Sequence, residues 1–372
     1  MSSRSSDSEG LAGVDIARGL AAISVFVYHY NPAMVLTKYT GQQFGWISVP
    51  GATLAVPLFF LISGFCIHYS QARSGSSSEG LNLRNYFRRR FWRLYPAYLV
   101  ALCFSCSVNS INGGAGLPLD DFLVHVFMLQ SISIRYFNTI NVVLWTISVE
   151  VMLYCLYPIW HWVRRRWGMR VAMSLGATAT GASWFVFSFV LFPYDVAGRW
   201  FVFNLWAGWL FGAWLAEEYV KNSIRLYSRA WILAGVGVIC FTIMMKLAGV
   251  FDGRGLVLQP TAIILAWAWP FMALVQWQSQ AKLAGVLALL RRGAIALGQC
   301  SYSLYLLHEP LISLRNALWS GVENQFLRMV IYIFWFAVIL LCSWLSFKLF
   351  ESPGMAFGRQ RRPSSDGAAV TA

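Results

Sequence analysis

The sequence predicts an all-α fold, a polytopic membrane bundle of about ten transmembrane helices with both termini in the cytoplasm. Of the 372 residues, 58% are hydrophobic and only 12% are charged, about half the charged share of an average soluble domain. Tryptophan and phenylalanine occur 18 and 27 times, as is typical of membrane proteins with aromatic residues at both interfaces. The apolar residues also form long runs, and a membrane-spanning helix needs ~20 of them in succession.

Ten apolar runs account for most of the chain, and each has about the length needed to cross a bilayer. Two further apolar stretches do not fit a span. Residues 120–133 are predicted to form a re-entrant or interfacial helix, and residues 282–292 to lie at the membrane surface. The predicted spans are roughly 13–36, 51–70, 94–112, 140–163, 170–193, 198–217, 230–250, 257–277, 294–314 and 325–349.

Lysine and arginine residues concentrate on one side of this predicted bundle. With the N-terminus in the cytoplasm, 22 of the 29 basic side chains fall on the cytoplasmic side and 7 fall outside. This bias is the one that the positive-inside rule describes. The net charge of +14 is therefore attributed to membrane topology, and no nucleic-acid partner is expected. The predicted location is the bacterial inner membrane.

The predicted organisation is one membrane domain with two short polar ends. Residues 1–12 form a polar cytoplasmic N-terminus that precedes a retained first span rather than a cleaved signal peptide. Residues 13–353 form the membrane domain, and 354–372 form a disordered basic and polar cytoplasmic tail. The seven cysteines lie within apolar runs, where small packing residues are expected, so no metal site is predicted.

Three ionisable residues lie in the first predicted span, within the stretch 15–30. Arg18 and His29 are eleven residues apart, which places them within ~20° of one helix face and ~16 Å apart along the axis. Asp15 is expected to pair with Arg18 on that face. Ionisable groups in the bilayer core cost ~2.5–3.5 kcal/mol and usually face a bundle interior or a cavity. Alone, Arg18 also fits an interfacial anchor and His29 a packing histidine, but the shared face favours a joint site.

Two further stretches each have a functional and a structural explanation. Ser63 and Gly64 lie inside a predicted span, where such a pair lets a ligand approach or another helix pack tightly. Residues 83–99 include five arginines, whose planar guanidinium groups suit the phosphates of a ligand or lipid headgroups. These arginines and the tyrosine that follows them are Arg84, Arg88, Arg89, Arg90, Arg93 and Tyr95.

Glu150 lies in the middle of a predicted span with no basic residue near it in the sequence. An unpaired carboxylate there is expensive, so a partner on another helix and a functional role are expected. Tyr154 shares its face at i+4, and Ser148 accompanies them. A second polar stripe, with spacings of four and three residues, is either an acceptor entrance or an interfacial cap. Its members are Ser301, Tyr305 and His308.

Together these stretches resemble the acyltransferase-3 family of integral-membrane acyltransferases, of the carbohydrate O-acetyltransferase type. The hallmark is an arginine, ten residues and a histidine in the first helix, here Arg18 and His29. One departure is that position 151, often a second acid, is Val151. As a second departure, no counterpart of the hydrolase-like C-terminal domain of some members is expected. The matching stretches are DIARGLAAISVFVYH at 15–29, FFLISGF at 59–65, RRRFWRLYP at 88–96, LWTISVEVMLYCLYP at 144–158, SYSLYLLHEPL at 301–311 and FESP at 350–353.

The resemblance implies transfer of an acyl group, usually acetyl, from cytoplasmic acyl-CoA to a hydroxyl of a carbohydrate or glycolipid, such as a lipopolysaccharide or exopolysaccharide. It implies His29 as the general base or as the carrier of an acyl group. Glu150 or Asp15 would orient the imidazole, and Glu150 is preferred because Asp15 already pairs with Arg18. Acyl-CoA is then a donor substrate, and no permanently bound cofactor is expected. The residues expected to bind coenzyme A are Arg18, Arg88, Arg89, Arg90, Arg93, Tyr95, Ser63 and Gly64. Those expected to contact the acceptor are Ser148, Tyr154, Ser301, Tyr305 and His308.

Two other classes of function remain open at the level of the sequence. Buried acids, histidines and arginines also form proton relays in transporters, so a proton-coupled carrier or flippase of a sugar-like solute is the alternative. A membrane protein with a structural or signalling role is the third class. That third class leaves the shared face of Asp15, Arg18 and His29 without an explanation.

Overall fold

The computed structural model describes residues 12–73, 80–113, 116–191, 195–221, 229–247, 259–280 and 283–359. Within these ranges most residues are helical and no strand is formed, which confirms the all-α prediction. Residues 1–11 of the predicted N-terminal segment and residues 360–372 of the predicted tail lie outside the described residues.

The helices are numbered here in chain order. Tighter or wider helical turns cover Gly45–Ser48, Pro50–Ala55, Gln130–Ile132, Val186–Val190 and Phe347–Glu351. The α-helices are α1 Ala12–Tyr30, α2 Pro32–Thr40, α3 Val56–Arg73, α4 Leu83–Ile111, α5 Leu119–Val126, α6 Ile134–Phe137, α7 Trp145–Phe185, α8 Val196–Arg199, α9 Val202–Val220, α10 Arg229–Leu247, α11 Gln259–Gln280, α12 Gly285–Gln299, α13 Ser301–Trp319, α14 Gln325–Ser346 and α15 Ser352–Arg359.

Each of the ten predicted spans overlaps at least one of these helices. By length and composition, five helical segments in the described part of the chain are suited to cross a membrane, or six if the bent pair α1 and α2 is counted as one span. An integral-membrane helix bundle is therefore supported. The number of ten spans and the sides of the two termini stay predictions.

The long helix α7 is a hairpin. Gly168 has φ 86° and ψ 169°, a backbone conformation that glycine adopts readily and other residues avoid. The indole Nε1 of Trp160 donates to the carbonyl oxygen of Ala172 at 3.1 Å. In a continuous helix these residues would be ~18 Å apart along the axis, so the chain reverses at Gly168. The reversal lies beside the arginines at 164–166, where the ten-span topology predicts a cytoplasmic loop.

The tight contact between α3 and α9 lies in the core of the bundle. A methyl group on Gly64 would lie 1.9 Å from the carbonyl oxygen of Trp209, and one on Gly212 would lie 2.2 Å from that of Leu61. The two glycines therefore let the backbones touch, as small residues do between membrane helices. Phe65, next to Gly64, is fully buried.

Helix α1 is enclosed by α11 and α12 through similar close contacts. A methyl group on Gly13 would lie 2.5 Å from the Cα atom of Val275 in α11, and one on Gly298 of α12 would lie 1.8 Å from the carbonyl oxygen of Asp15. The polar residues of α1 are therefore held inside the bundle by backbone packing, as intramembrane ionisable residues generally are.

Two ends of the bundle are distinguished below. The basic end is the end of α1 that carries Asp15 and Arg18. The histidine end is the opposite end of α1, where His29 approaches His308 of α13 with ring centroids 5.1 Å apart. The ten-span topology predicts that the basic end is cytoplasmic.

Residues 354–359 depart from the predicted disordered tail, because they belong to α15. The ring of Phe357 meets that of Trp92 on α4 with a centroid distance of 4.4 Å. A methyl group on Gly354 would lie 2.3 Å from the carbonyl oxygen of Trp92. This aromatic packing orders the segment, since buried ring area offsets the conformational entropy that is lost.

The two shorter apolar stretches are also helical. Helix α5 lies within 120–133, and α12 overlaps 282–292. In α12, Val286 and Leu289 are 72% and 67% exposed, so this apolar face points away from the bundle. That orientation is consistent with a helix at the membrane surface.

Candidate active site

A wide cavity lies at the basic end, with a volume of about 860 Å³. Its wall carries arginines from α1, α3, α4 and α15 but fewer carboxylates. An excess of guanidinium groups around a cavity suits a polyanionic ligand. The charged residues of the wall are Arg18, Arg73, Arg93, Arg359, Asp15 and Glu351. Asp15 and Arg18 thus face the same space, as their spacing predicts.

A narrow cavity of about 80 Å³ adjoins the wide one. The two cavities have five wall residues in common, and the narrow one extends deeper between α3, α4, α7 and α13. Its far wall includes Thr146 and Tyr305. A path therefore leads from the basic end into the bundle and narrows on the way. The shared wall residues are Arg18, Cys66, Arg93, Ser301 and Tyr302.

Glu150 lies on the wall of the narrow cavity and is held by hydroxyl groups. The Ser63 hydroxyl on α3 donates to its Oε1 at 3.0 Å, which supplies the expected partner on another helix. The Tyr154 hydroxyl donates to the same oxygen. The Arg90 guanidinium lies 5.4 Å from the centroid of the Tyr154 ring, close enough for a cation–π contact. Ser63, Tyr154 and Arg90 all line the narrow cavity.

A row of side chains continues from the narrow cavity to His29. The hydroxyl groups of Tyr305 and Thr146 are 3.0 Å apart. The Tyr305 ring lies 5.9 Å from that of His308, which in turn lies 5.1 Å from that of His29. Beyond them, Nδ1 of His29 is 3.7 Å from Oε2 of Glu309. His29 and Glu309 are partly accessible, with side-chain exposures of 20% and 29%.

These distances bear on two expectations about His29. Neither cavity has His29 in its wall, and the rings of Tyr305 and His308 continue from the narrow cavity towards it. The carboxylate at ion-pair distance from His29 is Glu309, whereas Glu150 bonds to hydroxyl groups and Asp15 lines the wide cavity. Glu309 therefore stands beside the imidazole, and an orienting role for Glu150 or Asp15 stays a prediction.

Helix α4 brings only part of its arginine cluster to the cavities. Arg90 and Arg93 are three residues apart, share a face and line cavity walls. Arg88, Arg89 and Tyr95 are in neither wall, because one residue turns the helix by ~100°. Arg89 is exposed.

Two other expected site residues serve packing. Gly64 lies against the backbone of Trp209, so the tight-packing explanation applies to it. The Ser148 hydroxyl lies 2.7 Å from that of Ser131 and ties the turn at 130–132 to α7. Neither Gly64 nor Ser148 lines a cavity. Of the expected acceptor residues, Tyr154, Ser301 and Tyr305 do.

The structure adds acidic and basic residues that the sequence reasoning did not assign. Glu351 is buried, accepts a hydrogen bond of 2.8 Å from Ser303 and lines the wide cavity. Glu351 lies in the FESP stretch and Glu309 follows His308, so both belong to the stretches that carry the family resemblance. Arg73 and Arg359 are the last residues of α3 and α15, and no sequence motif marks either of them as a site residue. The fold brings both to the wall of the wide cavity.

The chain belongs to the acyltransferase-3 family, whose acyltransferase-domain profile matches residues 11–348. Together with the helix bundle, family membership shows a membrane O-acyltransferase rather than a transporter or a structural protein. The resemblance noted from the motifs is thereby confirmed. No solved structure matches the chain significantly.

Several characterised relatives are acyltransferases. Acyltransferase MdmB of Streptomyces mycarofaciens is 28% identical over 93% of this chain and 92% of its own length. O-acetyltransferase OatA of Staphylococcus aureus is 22% identical over 92% of this chain, and peptidoglycan O-acetyltransferase OatA of Listeria monocytogenes is 21% identical over 91%. The match covers just over half of these two OatA proteins, 57% and 55%.

Proposed function

We propose that this acyltransferase takes its acyl group from acyl-CoA, most simply acetyl-CoA, which enters at the basic end. The observation that carries the proposal is the pair of adjoining cavities, wide and arginine-lined at the basic end and narrow farther in. Coenzyme A has the same shape, with a phosphorylated nucleotide at one end and a thin pantetheine arm at the other. With the predicted topology, the wide cavity faces the cytoplasm, where acyl-CoA is found.

The phosphates occupy the wide cavity in this proposal. Arg18, Arg73, Arg93 and Arg359 stand around that space, and guanidinium groups form strong, charge-assisted hydrogen bonds with phosphate oxygens. The pantetheine arm follows the narrow cavity, past the polar groups of Ser63 and Glu150, towards Tyr305. The thioester then arrives next to His308 and His29.

His29 acts as the general base. Glu309 faces Nδ1 and favours the imidazolium that forms, which leaves Nε2 to take the proton of the acceptor hydroxyl. The hydroxyl oxygen attacks the thioester carbonyl carbon, the C–S bond breaks, and coenzyme A leaves as a thiolate. The imidazolium returns its proton to that thiolate, so the residue is regenerated and no acyl-enzyme is formed.

The acceptor approaches from the histidine end, where His29 and Glu309 are partly accessible. We propose a hydroxyl of a carbohydrate or glycolipid on the outer side of the bacterial inner membrane. Support comes from the relative described as a peptidoglycan O-acetyltransferase. Donor and acceptor then meet from opposite ends of the bundle, so the acyl group, and not coenzyme A, crosses the membrane.

The test is acceptor-dependent release of the coenzyme A thiol. Purified protein in lipid nanodiscs is supplied with acetyl-CoA and a glycan fraction from the cell envelope, and free thiol is measured over time. His29→Ala is expected to lower this rate by ~10²–10⁴-fold, the usual contribution of a general base, with an unchanged unfolding temperature. A wild-type rate in His29→Ala would remove the proposed base. A wild-type protein that never releases thiol would contradict the proposed donor.

A labelled acetyl group separates direct transfer from an acyl-histidine intermediate. With labelled acetyl-CoA and no acceptor, direct transfer predicts no label on the protein after rapid denaturation. Label on a peptide that contains His29 would show covalent catalysis instead.

A further inference from the structure

His308 is a fully buried histidine whose protonation pattern is set by the backbone. Its exposure is 0%, and Nδ1 lies 3.0 Å from the carbonyl oxygen of Leu304, one turn earlier on α13. A carbonyl oxygen only accepts hydrogen bonds, so Nδ1 carries the proton. In the neutral ring, Nε2 is then a bare lone pair that can only accept a hydrogen bond.

That lone pair has no hydrogen-bond partner among the described residues. A buried polar atom without a partner is costly, about 1–3 kcal/mol, and most such atoms in proteins are satisfied. An unsatisfied acceptor of this kind therefore points to an occupant with an N–H or O–H group.

The position of His308 indicates which occupant to expect. Its ring contacts Tyr305, on the wall of the narrow cavity, and His29, with centroid distances of 5.9 and 5.1 Å. Phe26 packs against it with a centroid distance of 6.1 Å. His308 therefore lies where the path from the basic end meets the proposed base.

We infer that Nε2 of His308 accepts a hydrogen bond from a substrate N–H or O–H group at the point where the two substrates meet. This inference rests on the proposed function and deepens it, since it gives the second imidazole a role distinct from that of His29. Two groups supply the required chemistry. One is the amide N–H of the pantetheine arm nearest the thioester, and the other is the acceptor hydroxyl.

The test uses two amide substitutions that divide the functions of the imidazole. In His308→Asn, the amide nitrogen replaces Nδ1 and still donates to Leu304, but the acceptor at the ε position is lost. In His308→Gln, the longer side chain returns an acceptor oxygen near the ε position. We expect His308→Asn to raise the KM for either acetyl-CoA or the glycan acceptor about tenfold, because one hydrogen bond to that substrate is lost. His308→Gln is expected to restore most of that loss.

The kinetic pattern identifies the partner. A higher KM for acetyl-CoA points to the pantetheine amide, and the difference between wild type and His308→Asn should then vanish with a donor analogue in which that amide is an ester. A higher KM for the glycan acceptor points to its hydroxyl. Unchanged KM values for both substrates would overturn the inference and leave a buried water as the occupant. If the KM of His308→Gln stays as high as that of His308→Asn, the inference is also overturned, because an acceptor near the ε position would then not be sufficient.

His125 offers a matched control. It is also 0% exposed, its Nδ1 lies 3.0 Å from the carbonyl oxygen of Asp121 one turn earlier, and its Nε2 is unpartnered among the described residues. It lies on α5, outside both cavity walls. His125→Asn should leave both KM values within about twofold, so it measures the structural cost of losing a buried imidazole. Thiol release by the wild-type protein tests the proposed function separately.

Discussion

Two clusters of charged side chains have only α3 in common and differ in whether empty space separates their charges. In the first, arginines surround the wide cavity and outnumber the carboxylates on its wall. In the second, Glu217 on α9 receives Nε of Arg164 at 2.5 Å and Nζ of Lys221 at 2.7 Å. Nε2 of His68 lies 3.1 Å from the same carboxylate, so both Glu217 oxygens are occupied.

The difference teaches how to tell a binding site from a structural cluster in this bundle. A buried charge is retained when partners compensate it, and the Glu217 cluster does so with the chain's own side chains. The wide cavity combines several arginines with empty volume, the arrangement expected if a ligand completes it. Empty space among the charges is the feature that separates the two clusters.

The largest effect is expected when the cluster around Glu217 is disrupted. Glu217→Gln removes the charge that holds Arg164 and Lys221, and loss of one member of a buried ion pair costs ~3–5 kcal/mol. We expect Glu217→Gln to lower the free energy of unfolding by about 3 kcal/mol. This is the lower end of the range, because Lys221 is 55% exposed. Unfolding in detergent, followed by tryptophan fluorescence, measures it. Lys221→Gln is the control and should cost less than ~1 kcal/mol, as exposed pairs do. Equal effects would show that burial does not matter here.

The next effect tests the arginines of the wide cavity. Arg93 lines both cavities, and a hydrogen bond to a charged group contributes ~1.5–3 kcal/mol. Arg93→Gln should therefore raise the KM for acetyl-CoA ~10–150-fold while changing kcat less. The exposed Arg89 on the same helix is the matched control, and Arg89→Gln should stay within about twofold. Similar KM values for the two variants would argue against phosphate binding in the wide cavity.

The smallest effect concerns α3, which lies between the two clusters. Ser63 faces Glu150, His68 faces Glu217, and Gly64 packs on α9. Gly64→Ala introduces a methyl group 1.9 Å from a backbone oxygen and should destabilise the protein by ~1–3 kcal/mol, as overpacking does. Gly181 has open space around it, so Gly181→Ala should be neutral. A neutral Gly64→Ala in the same thermal-unfolding assay would show that the contact relaxes easily.

Spacing along one helix predicted the parts of the site that depend on a single element. Arg18 and Asp15 face one cavity, because helix geometry fixes which residues align. The position of Glu150 in the middle of an apolar run predicted a partner on another helix. The sequence did not predict that this partner is Ser63.

The parts of the site that were not predicted depend on contacts between helices. Glu309 belongs to the stretch SYSLYLLHEPL at 301–311, but nothing in that stretch predicts that it approaches His29. The approach arises from the packing of α13 on α1. Arg359 comes to the wide cavity because α15 docks on α4 through Phe357 and Trp92. Arg18 and Arg359 are 341 positions apart in the sequence, and His29 and Glu309 are 280 apart. No sequence pattern predicts the distance between residues so far apart.

The amino-acid sequence by itself determined that this is an all-α membrane protein of the acyltransferase-3 family, because apolar run length, charge bias and motif order are local or collective properties of the chain. Tertiary structure decided which charged side chains meet and which carboxylate stands beside His29. It also placed Nε2 of His308, which has no hydrogen-bond partner among the described residues, between the cavity wall and His29. These properties depend on the angles and distances at which separate helices pack, and side-chain interactions act only over a few ångströms.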